Sequence, residues 1–309
     1  MTGDISSMSA PLVSIIVPSF NQGRFIRRTL ESILSQDYRP IEIIVIDGAS
    51  TDETVSILEA FSSAPELQWI SEPDKGVVDA VNKGFTRARG VIGAIQSSDD
   101  FYLPGAIRAG VDALLAEPSL GFVFGDTAKV DAQGRELERS QLAPYSLEGV
   151  LTLQTWIPQP STFFRMELAR SLGFWRKLAP YAADTDLWLR MALQAPARKL
   201  DRLMSERSVH DAQRDTQGAK IVRDYALMID SLMPAFEGQG LGPAASVGKL
   251  LMANRYVPAT GEFARVGRLW QAACRYPALF RRYPLRNFIP GGNAARAALS
   301  RGARAIGIR

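Results

Sequence analysis

The chain has 309 residues, of which 46% are hydrophobic and 22% are charged, a balance typical of a globular enzyme and not of a disordered chain. No apolar run approaches the roughly 18 residues that a transmembrane helix needs, and the first ten residues lack the features of a signal peptide. A single cysteine, Cys274, excludes an internal disulfide and suits a reducing compartment. These features predict a cytoplasmic protein.

The net charge of +4 is unevenly distributed. Residues 255–309 hold eleven arginines, no lysine and one acid, a net charge of about +10 that leaves about −6 for residues 1–254. The arginines are mixed with aromatic residues, and such a segment can lie in an anionic membrane interface. A solvated tail is the alternative. Nothing else in the sequence supports binding to nucleic acid.

The first part of the chain alternates between strand and helix patterns. Apolar, β-branched runs predict strands, and apolar residues at helical spacing predict the helices between them. This rhythm indicates a parallel sheet with right-handed crossovers. The predicted strands are 12–18, 41–46, 67–70 and 91–95, and the predicted helices include 24–36 and one that starts near Ser50.

The second part of the chain predicts a less regular arrangement. A strand at 121–126 runs into a D-A-Q-G turn at 131–134, which indicates a hairpin and the first antiparallel pairing. The elements predicted after it are a short helix at 145–153, a strand at 161–165, helices at 166–172 and 184–194, an edge strand at 199–205 and a long helix at 213–236.

These patterns predict three parts. Residues 1–11 form a flexible terminus, residues 12–237 form one α/β domain, and residues 238–309 form a basic, helical extension. Within the domain, residues 12–126 and residues 127–237 form two halves.

Two strands of the predicted parallel sheet end in acidic residues. Asp47 follows the strand at 41–46, and Asp99 and Asp100 follow the strand at 91–95 after two serines. Ligands bind at this edge of open α/β sheets, and a carboxylate pair suits a hard cation such as Mg²⁺ together with substrate phosphates. The alternative is that Asp99 and Asp100 cap a helix over 103–117.

Two further positions fit helix starts. Ser50 and Glu53 have the spacing of a capping box for a helix that ends near residue 61. Asp184 is a natural N-cap for the helix at 184–194.

Six motifs follow one another along residues 13 to about 215. They are S-I-I-V-P-S-F-N (14–21), V-I-D-G-A-S-T-D (45–52), E-P-D-K-G-V-V-D-A-V-N-K-G (72–84), S-S-D-D (97–100), Q-P-S-T-F-F-R (159–165) and A-D-T-D-L-W-L-R (183–190). Each motif is weak alone, but in this order they resemble the inverting glycosyltransferases of family 2, a large bacterial group with the GT-A fold that builds surface polysaccharides. The resemblance implies a Rossmann-like, mostly parallel central sheet with helices on both faces. It also implies a nucleotide-sugar-binding half at residues 12–126 and an acceptor half at residues 127–237.

The resemblance implies a site for a UDP- or GDP-sugar and for Mg²⁺ or Mn²⁺. The family's metal motif is usually Asp-x-Asp, and Ser97 stands at its first position here, so which of Asp99 and Asp100 touches the metal stays open. The only histidine, His210, lies where the family often carries an Arg-x-His turn near the metal, and a satisfied, non-functional histidine is the alternative. The positions implied to bind the nucleotide sugar are Pro18, Phe20, Asn21, Asp47, Lys75, Asp79, Asn82, Ser98 and Asp99, and those implied to bind the metal are Asp99, Asp100 and His210.

The resemblance also implies a catalytic base. In the family an Asp precedes Asp-Leu-Trp-Leu-Arg by about two residues, often after a Glu, and here that residue is Asp184, with Ala183 in place of the Glu. A carboxylate there can take the proton of the acceptor hydroxyl as that hydroxyl attacks the anomeric carbon. Asp186 is the alternative base. Gln159 is expected to line the acceptor side. The aromatic residues expected either to offer a surface there to a sugar ring or lipid or to pack in the core are Trp156, Phe174, Trp175 and Tyr181.

The sequence thus predicts a metal-dependent inverting hexosyltransferase that extends a glycan or lipid-linked saccharide in bacterial surface polysaccharide biosynthesis, peripheral to the inner face of the cytoplasmic membrane. Two alternatives stay open. One is a catalytically inactive member that binds a glycan or a partner, because Ser97 and Ala183 depart from the family pattern. The other is a sugar-phosphate nucleotidyltransferase, for which the loop S-F-N-Q-G-R-F at 19–25 is a poor match.

Overall fold

A computed structural model describes residues 10–210, 217–256 and 270–278, without residue 272. The chain divides into two compact units. The first unit comprises residues 1–142 and 157–211, and the second comprises residues 143–156 and 212–309.

The amino-terminal half of the first unit forms the predicted parallel layer. Its strands lie side by side in the order β3-β2-β1-β4, all parallel, with β1 in register with β2 from Val13 opposite Ile41 to Ser19 opposite Asp47. The alternation predicted from the sequence is confirmed. The elements are β1 (Val13–Ser19), α1 (Gly23–Leu34), β2 (Ile41–Asp47), α2 (Thr54–Ala60), β3 (Leu67–Ser71), α3 (Val77–Arg87) and β4 (Ile92–Ile95).

The sheet continues beyond β4 as a mixed layer, so it is less parallel as a whole than predicted. The predicted hairpin is confirmed, since β7 pairs with β6 in antiparallel fashion. The new elements are β5 (Asp100–Tyr102), α4 (Ala106–Ala116), β6 (Phe122–Val130), β7 (Glu136–Arg139), a 3-10 turn (Gln159–Ser161), β8 (Thr162–Arg165), α6 (Met166–Ser171), α7 (Ala183–Ala192) and β9 (Ala197–Ser208).

The strand order is β3-β2-β1-β4-β8-β6-β9-β5, with β7 beside β6. Strand β9 has 12 residues and pairs with β6 on one side and with β5 on the other. The strand predicted at 199–205 is therefore present but longer than predicted, and β5 pairs only with its residues 205–207. Its full length could not be predicted because the first part of β9 is rich in charged residues.

Helices cover both faces of the sheet, and two adjacent residues of β8 show this. Phe163 joins the core that contains buried residues of α1 and α4, and its ring would clash with a Cβ placed on Gly110 of α4. Phe164 points to the opposite face, where its ring centroid lies 6.0 Å from Phe85 of α3 and 5.4 Å from Trp188 of α7. The alternation of side chains along a strand explains the two faces.

A buried carboxylate holds the turn between α3 and β4 to the sheet. Glu42 of β2 is 3% exposed and accepts hydrogen bonds from Ser14 Oγ at 2.6 Å and from the Arg89 backbone N–H at 2.7 Å. The guanidinium of Arg89 also pairs with it at 2.9 Å. Burial raises the pKa of Glu42, but these hydrogen bonds and the arginine outweigh burial, so its pKa lies below the usual value of 4.5.

The lowered pKa makes a prediction about pH. A carboxyl group whose pKa is lower in the folded state stabilises the fold above its unfolded pKa, and that contribution is lost as the pH falls through the folded pKa. We expect Glu42→Gln to lower the free energy of unfolding by about 1–3 kcal/mol near pH 7, with a deficit that shrinks towards about pH 3. Urea denaturation at several pH values measures this. The surface variant Glu66→Gln, which loses a half-exposed pair with Arg39, should lose at most about 1 kcal/mol. A deficit that grows on acidification would contradict the argument.

The second unit is described by its helices. Ser146 caps α5 (Leu147–Leu151) by accepting a hydrogen bond from the Gly149 N–H. Helix α8 (Gly218–Gly238) confirms the long helix predicted at 213–236, whose first residues 213–216 lie outside the described ranges, and it buries Tyr225, Met228, Ile229, Leu232 and Phe236. Helix α9 (Gly242–Tyr256) follows after three residues.

None of the helices in the described ranges is long and apolar enough to cross a membrane. The predicted basic extension lies outside the described residues over 257–269 and 279–309. The predicted flexible terminus also lies outside them, apart from residues 10 and 11.

Candidate active site

The loops after β1 and β2 are bound to each other at the carboxyl edge of the sheet. Asn21 has a left-handed backbone with φ of 52°, a region that asparagine tolerates better than most residues. Its N–H donates to Ser50 Oγ at 2.7 Å, and its Oδ1 accepts from the Thr51 N–H at 2.9 Å. Pro18 precedes this loop within β1, opposite Ile46 of β2.

Asp47 lies fully buried at the end of β2, and its oxygens are occupied by serines. Oδ2 accepts from the Ser50 N–H at 2.9 Å and from Ser71 Oγ at 2.6 Å, and Oδ1 accepts from Ser50 Oγ. The predicted capping box is wrong, because α2 starts at Thr54 with no side-chain cap and the Ser50 hydroxyl serves Asp47 and Asn21 instead. Asp47 thus fixes the shape of the loop that follows β2.

Asp52 joins the same two loops, a role that the sequence reasoning missed. Its Oδ2 accepts from the Gly23 N–H at 2.9 Å, at the start of α1, and its Oδ1 accepts from the Thr54 N–H at 3.0 Å. Burial raises the pKa of Asp52, but the hydrogen bonds from Thr54 and Gly23 outweigh it and the pKa is lowered. The signal was the T-D-x-T spacing, since an Asp accepts readily from the N–H two residues ahead.

An exposed aromatic ring, a glycine and a carboxylate meet beside these loops. Phe20 is 59% exposed. A Cβ placed on Gly48 would lie 2.7 Å from Asp74 Oδ2 and 3.3 Å from a ring carbon of Phe20. Asp74 Oδ1 accepts from the Gly76 N–H at 2.7 Å. Gly48 therefore packs closely against the Asp74 carboxylate and the Phe20 ring, and a side chain at this position would displace them.

Asp99 and His210 lie together at the same edge. Asp99 follows β4 and His210 follows β9, and Asp99 Oδ2 lies 3.0 Å from His210 Nε2. Their side chains are 16% and 10% exposed. The imidazole stacks on the ring of Phe25 from α1, with 4.7 Å between ring centroids. A carboxylate and an imidazole 111 residues apart are thus held in contact.

Asp100 has a different environment from its neighbour. It is the first residue of β5, is 4% exposed, and accepts from the Ser208 N–H at 3.2 Å through Oδ1. Helix α4 starts six residues later, at Ala106, with Gly105 as its N-cap. The alternative that Asp99 and Asp100 cap this helix is therefore wrong, because β5 lies between them and the helix.

Within the described ranges, no group of three or more His, Cys, Asp or Glu residues is placed to hold a metal ion. The pair of Asp99 and His210 still suits a divalent ion of the kind that takes few protein ligands and completes its coordination with substrate phosphates and water. A carboxylate oxygen and an imidazole nitrogen are both ordinary ligands of Mn²⁺. The donor set therefore fits an ion that arrives with a nucleotide.

Two amide and hydroxyl contacts support the loop that carries Asp99. Gln159 Nε2 donates to the Ile95 carbonyl at 2.9 Å, and Ser97 Oγ donates to Gln159 Oε1 at 3.3 Å. Ser98 is buried and its carbonyl accepts from Thr29 Oγ1 at 2.9 Å. Gln159, expected near the acceptor, lies beneath the Asp99 loop, and Ser97 is engaged within the protein.

The predicted donor residues of the α3 region have varied surroundings. Lys75 is exposed, and its N–H donates to Asp79 Oδ2 at 3.2 Å. Asn82 makes two hydrogen bonds with the backbone of Trp175. Its Nδ2 donates to the Trp175 carbonyl at 2.9 Å, and its Oδ1 accepts from the Trp175 N–H at 3.1 Å. Asn82 thus connects α3 to the loop that precedes α7.

Asp184 lies in the first turn of α7 and is partly buried. The helix starts at Ala183 with Ala182 as the N-cap and no side-chain capping bond, and the Asp186 N–H already donates to the Ala182 carbonyl at 2.8 Å. The prediction that Asp184 is the N-cap is therefore wrong. Asp184 lies two residues after the N-cap, and its Oδ1 accepts from Thr185 Oγ1 at 3.4 Å.

Asp186, the alternative base, is fully buried between two arginines. It accepts from Arg176 Nε at 2.9 Å and from Arg190 Nε at 2.8 Å. Arg190 also donates to the carbonyls of Leu172 and Phe174. Both oxygens of Asp186 receive guanidinium hydrogen bonds, which hold the loop before α7.

The predicted aromatic surfaces divide between packing and exposure. Phe174 stacks on Phe85 with 4.4 Å between centroids, and Trp175 is 5% exposed. Trp175 therefore packs in the core, whereas Phe174 is partly buried. Tyr181 is partly buried, whereas Trp156 in the second unit is 38% exposed.

The family model described as glycosyl transferase family 2 matches residues 14–173, which is just over half of the chain. The chain belongs to glycosyltransferase family 2. The match contains the loops after β1 and β2, including Gly48, and the acidic residues Asp99 and Asp100 after β4.

Characterised and uncharacterised relatives agree with this family. A chondroitin synthase of Escherichia coli is 30% identical over 206 residues, which are 65% of this chain but only 29% of that protein. An uncharacterised glycosyltransferase of Mycobacterium tuberculosis is 34% identical over 187 residues, 60% of this chain and 70% of that protein. This chain therefore spans under a third of the matched synthase.

Solved structures confirm the GT-A fold that the resemblance implied. The structure of Staphylococcus aureus TarS 1–349 in complex with UDP-GlcNAc has a TM-score of 0.66 at 17% identity, over 95% of this chain and 91% of that one. The mannosyltransferase PcManGT from Pyrobaculum calidifontis, in complex with GDP-Man and Mn²⁺, has a TM-score of 0.62 at 21% identity, over 96% and 81% of the two chains. At these identities the likeness concerns the fold.

Proposed function

We propose that this protein is a metal-dependent inverting hexosyltransferase that moves a sugar from a UDP- or GDP-sugar to a saccharide acceptor. The observation that carries the proposal is the contact between Asp99 and His210 at the carboxyl edge of the sheet. Neither Asp99 nor Asp100 has the helix-capping role that offered the structural alternative, so a carboxylate and the only histidine meet at the edge where α/β sheets bind ligands.

The loops after β1 and β2 support a nucleotide site at this edge. The exposed ring of Phe20 can stack on a base, and the loop from Asn21 that carries it is fixed by Ser50 and Thr51. A diphosphate extending from there would approach Asp99 and His210, which would hold the ion. That ion would neutralise the charge that develops on the leaving nucleoside diphosphate.

Asp184 is the base in this proposal. An inverting transfer needs a carboxylate that takes the proton of the acceptor hydroxyl as the hydroxyl attacks the anomeric carbon. The C–O bond to the diphosphate breaks as the new C–O bond forms, with no covalent intermediate on the enzyme. The position of Asp184 is set by α7, whose start is anchored through the ion pairs of Asp186 with Arg176 and Arg190.

The acceptor is proposed to be a glycan or a lipid-linked saccharide in bacterial surface polysaccharide biosynthesis. Relatives named chondroitin synthase and hyaluronan synthase are consistent with a saccharide acceptor. Peripheral association with the inner face of the membrane through residues 255–309 stays a prediction, because that tail lies largely outside the described residues.

Nucleotide binding tests the proposal. We expect UDP or GDP with Mn²⁺ to raise the stability of the wild-type protein, by about 2.7 kcal/mol when the nucleotide is at 100 times its dissociation constant. Asp99→Asn should lose the metal-dependent part of this shift, and Asp201→Asn, whose side chain is 98% exposed, should keep it. Thermal denaturation with UDP, GDP, CDP and dTDP, with and without Mn²⁺, measures both. Equal shifts in Asp99→Asn and wild type would remove Asp99 from the site, and no shift with any nucleotide would overturn the donor proposal.

A further inference from the structure

The loop between α6 and α7 starts with an unusual backbone conformation. Helix α6 ends in a Schellman motif, in which the Gly173 N–H donates to the Arg170 carbonyl and the Phe174 N–H donates to the Ala169 carbonyl, both at 3.0 Å. Gly173 has the positive φ, 77°, that this motif requires. Phe174 follows with a φ of 57°, which is rare for a bulky side chain and costs free energy. The surroundings of Phe174 must therefore hold it in this conformation.

Helices α3 and α7 both hold this loop. Asn82 and Phe85 lie three residues apart on one face of α3. The ring of Phe85 stacks on the ring of Phe174 with 4.4 Å between centroids. Asn82 pairs with the next loop residue, since Nδ2 donates to the Trp175 carbonyl at 2.9 Å and Oδ1 accepts from the Trp175 N–H at 3.1 Å. From α7, Arg190 donates to the Phe174 carbonyl. The loop thus connects the two helices.

The Asn82 side chain supplies both hydrogen bonds that the backbone of one residue needs. An amide can do this because it carries a donor and an acceptor, as a neighbouring strand does. The residue after Trp175 is Arg176, and its guanidinium pairs with Asp186 in the first turn of α7. Two consecutive loop residues are therefore fixed, one to α3 and the next to α7.

We propose that Asn82 is a positioning residue for the catalytic base, and that it holds the loop at 173–176 through which α3 sets the place of Asp184 on α7. This inference rests on the proposed function. Helix α3 packs closely on β1, which leads into the nucleotide loop, since a Cβ placed on Gly84 would lie 2.5 Å from Ile16. The same helix therefore contacts the donor side and the loop before the base. A displacement of about 1 Å can cost about 100-fold in rate, so a fixed distance between donor and base matters.

Amide hydrogen exchange on the full chain tests the positioning without any substrate. Asn82→Ala removes both hydrogen bonds to Trp175 without adding a charge, and Asn82→Asp places a carboxylate oxygen against the Trp175 carbonyl. We expect exchange in residues 177–186 to become about 10- to 100-fold faster in both variants. Gln68→Glu, at an exposed position of β3, makes the same change of charge as Asn82→Asp and should leave this exchange unchanged. Unchanged exchange in both Asn82 variants would overturn the proposal.

Nucleotide binding distinguishes positioning from direct contact with the donor. UDP and GDP are titrated into each protein by calorimetry in the presence of Mn²⁺. If Asn82 positions the base, the dissociation constants of Asn82→Ala should stay within about threefold of wild type. A loss of affinity of about tenfold or more, with unchanged exchange in residues 177–186, would make Asn82 a donor contact and overturn the proposal. Binding of neither nucleotide by wild type would overturn the proposed function and this inference with it.

A double-mutant cycle tests the link to Asp184. The activity measured is release of UDP from UDP-glucose or of GDP from GDP-mannose, with Mn²⁺ and with water as the acceptor. Asn82→Ala should lower kcat by about 10- to 100-fold and leave KM unchanged. In the Asp184→Asn background the same substitution should lower the residual rate by no more than about threefold, because no base is left to be misplaced. Losses that multiply in the double variant would overturn the proposal and leave the base assignment intact.

Discussion

Asp184→Asn is expected to lower kcat by about 10²- to 10⁴-fold, the range that removal of a general base usually produces. The amide cannot take the proton of the acceptor hydroxyl, whereas the donor would still bind at Asp99 and Phe20. The dissociation constant of the nucleotide should therefore stay close to that of wild type. Single-turnover transfer from the preferred nucleotide sugar, with calorimetry of nucleotide binding beside it, measures the two quantities separately.

A suitable control for Asp184→Asn is Glu167→Gln. Glu167 is an exposed acid in the first turn of α6, so its loss also removes a negative charge from a helix start. If Asp184 only complemented the helix dipole, both variants would retain turnover and differ from wild type by a small change in stability. Turnover of Asp184→Asn within about threefold of wild type would contradict the base role. Asp184→Glu, which retains a carboxylate, should recover part of the lost rate.

The positions of strands and of acidic residues at their ends could be predicted from the sequence because both depend on local patterns. Each β-branched run is long enough to define a buried strand, and the chain order of such runs fixes a parallel layer with its carboxyl ends on one edge. That reasoning brought Asp47 and Asp99 to the same edge before the structure was known. The contact between Asp99 and His210 was expected only through the family resemblance, since 111 residues separate the two.

The helix-start predictions failed for a common physical reason. Ser and Asp have short polar side chains that satisfy a helix N-terminus or a distant partner equally well, and the local sequence does not show which partner is present. The Ser50 hydroxyl accepts from the Asn21 N–H and donates to Asp47, and Asp100 accepts from the Ser208 N–H. At Asp184 the helix simply starts one residue earlier. Each apparent cap is thus a residue whose polar group has a partner elsewhere or whose helix starts at another residue.

The largest stability change is expected for Asp186→Asn. Removing one partner of a buried ion pair leaves uncompensated charge, which usually costs about 3–5 kcal/mol. Here the loss would leave Arg190, whose side chain is 7% exposed, and Arg176 beside each other without a carboxylate. Urea denaturation should show the loss directly. The exposed pair of Asp37 and Arg108 supplies a matched control, since Asp37→Asn breaks an ion pair in water and should have a far smaller effect.

Asp186→Asn also decides between the two candidate bases. Arg190 donates hydrogen bonds to the carbonyls of Leu172 and Phe174. Its displacement should therefore loosen the loop that Asn82 binds at the backbone of Trp175. The variant would then lose turnover together with stability, and turnover should return under conditions that stabilise the fold, such as low temperature or an excluded osmolyte. Asp184→Asn should not respond to the same conditions, because its deficit lies in the proton transfer. A fully folded Asp186→Asn protein with no turnover would instead assign the base to Asp186.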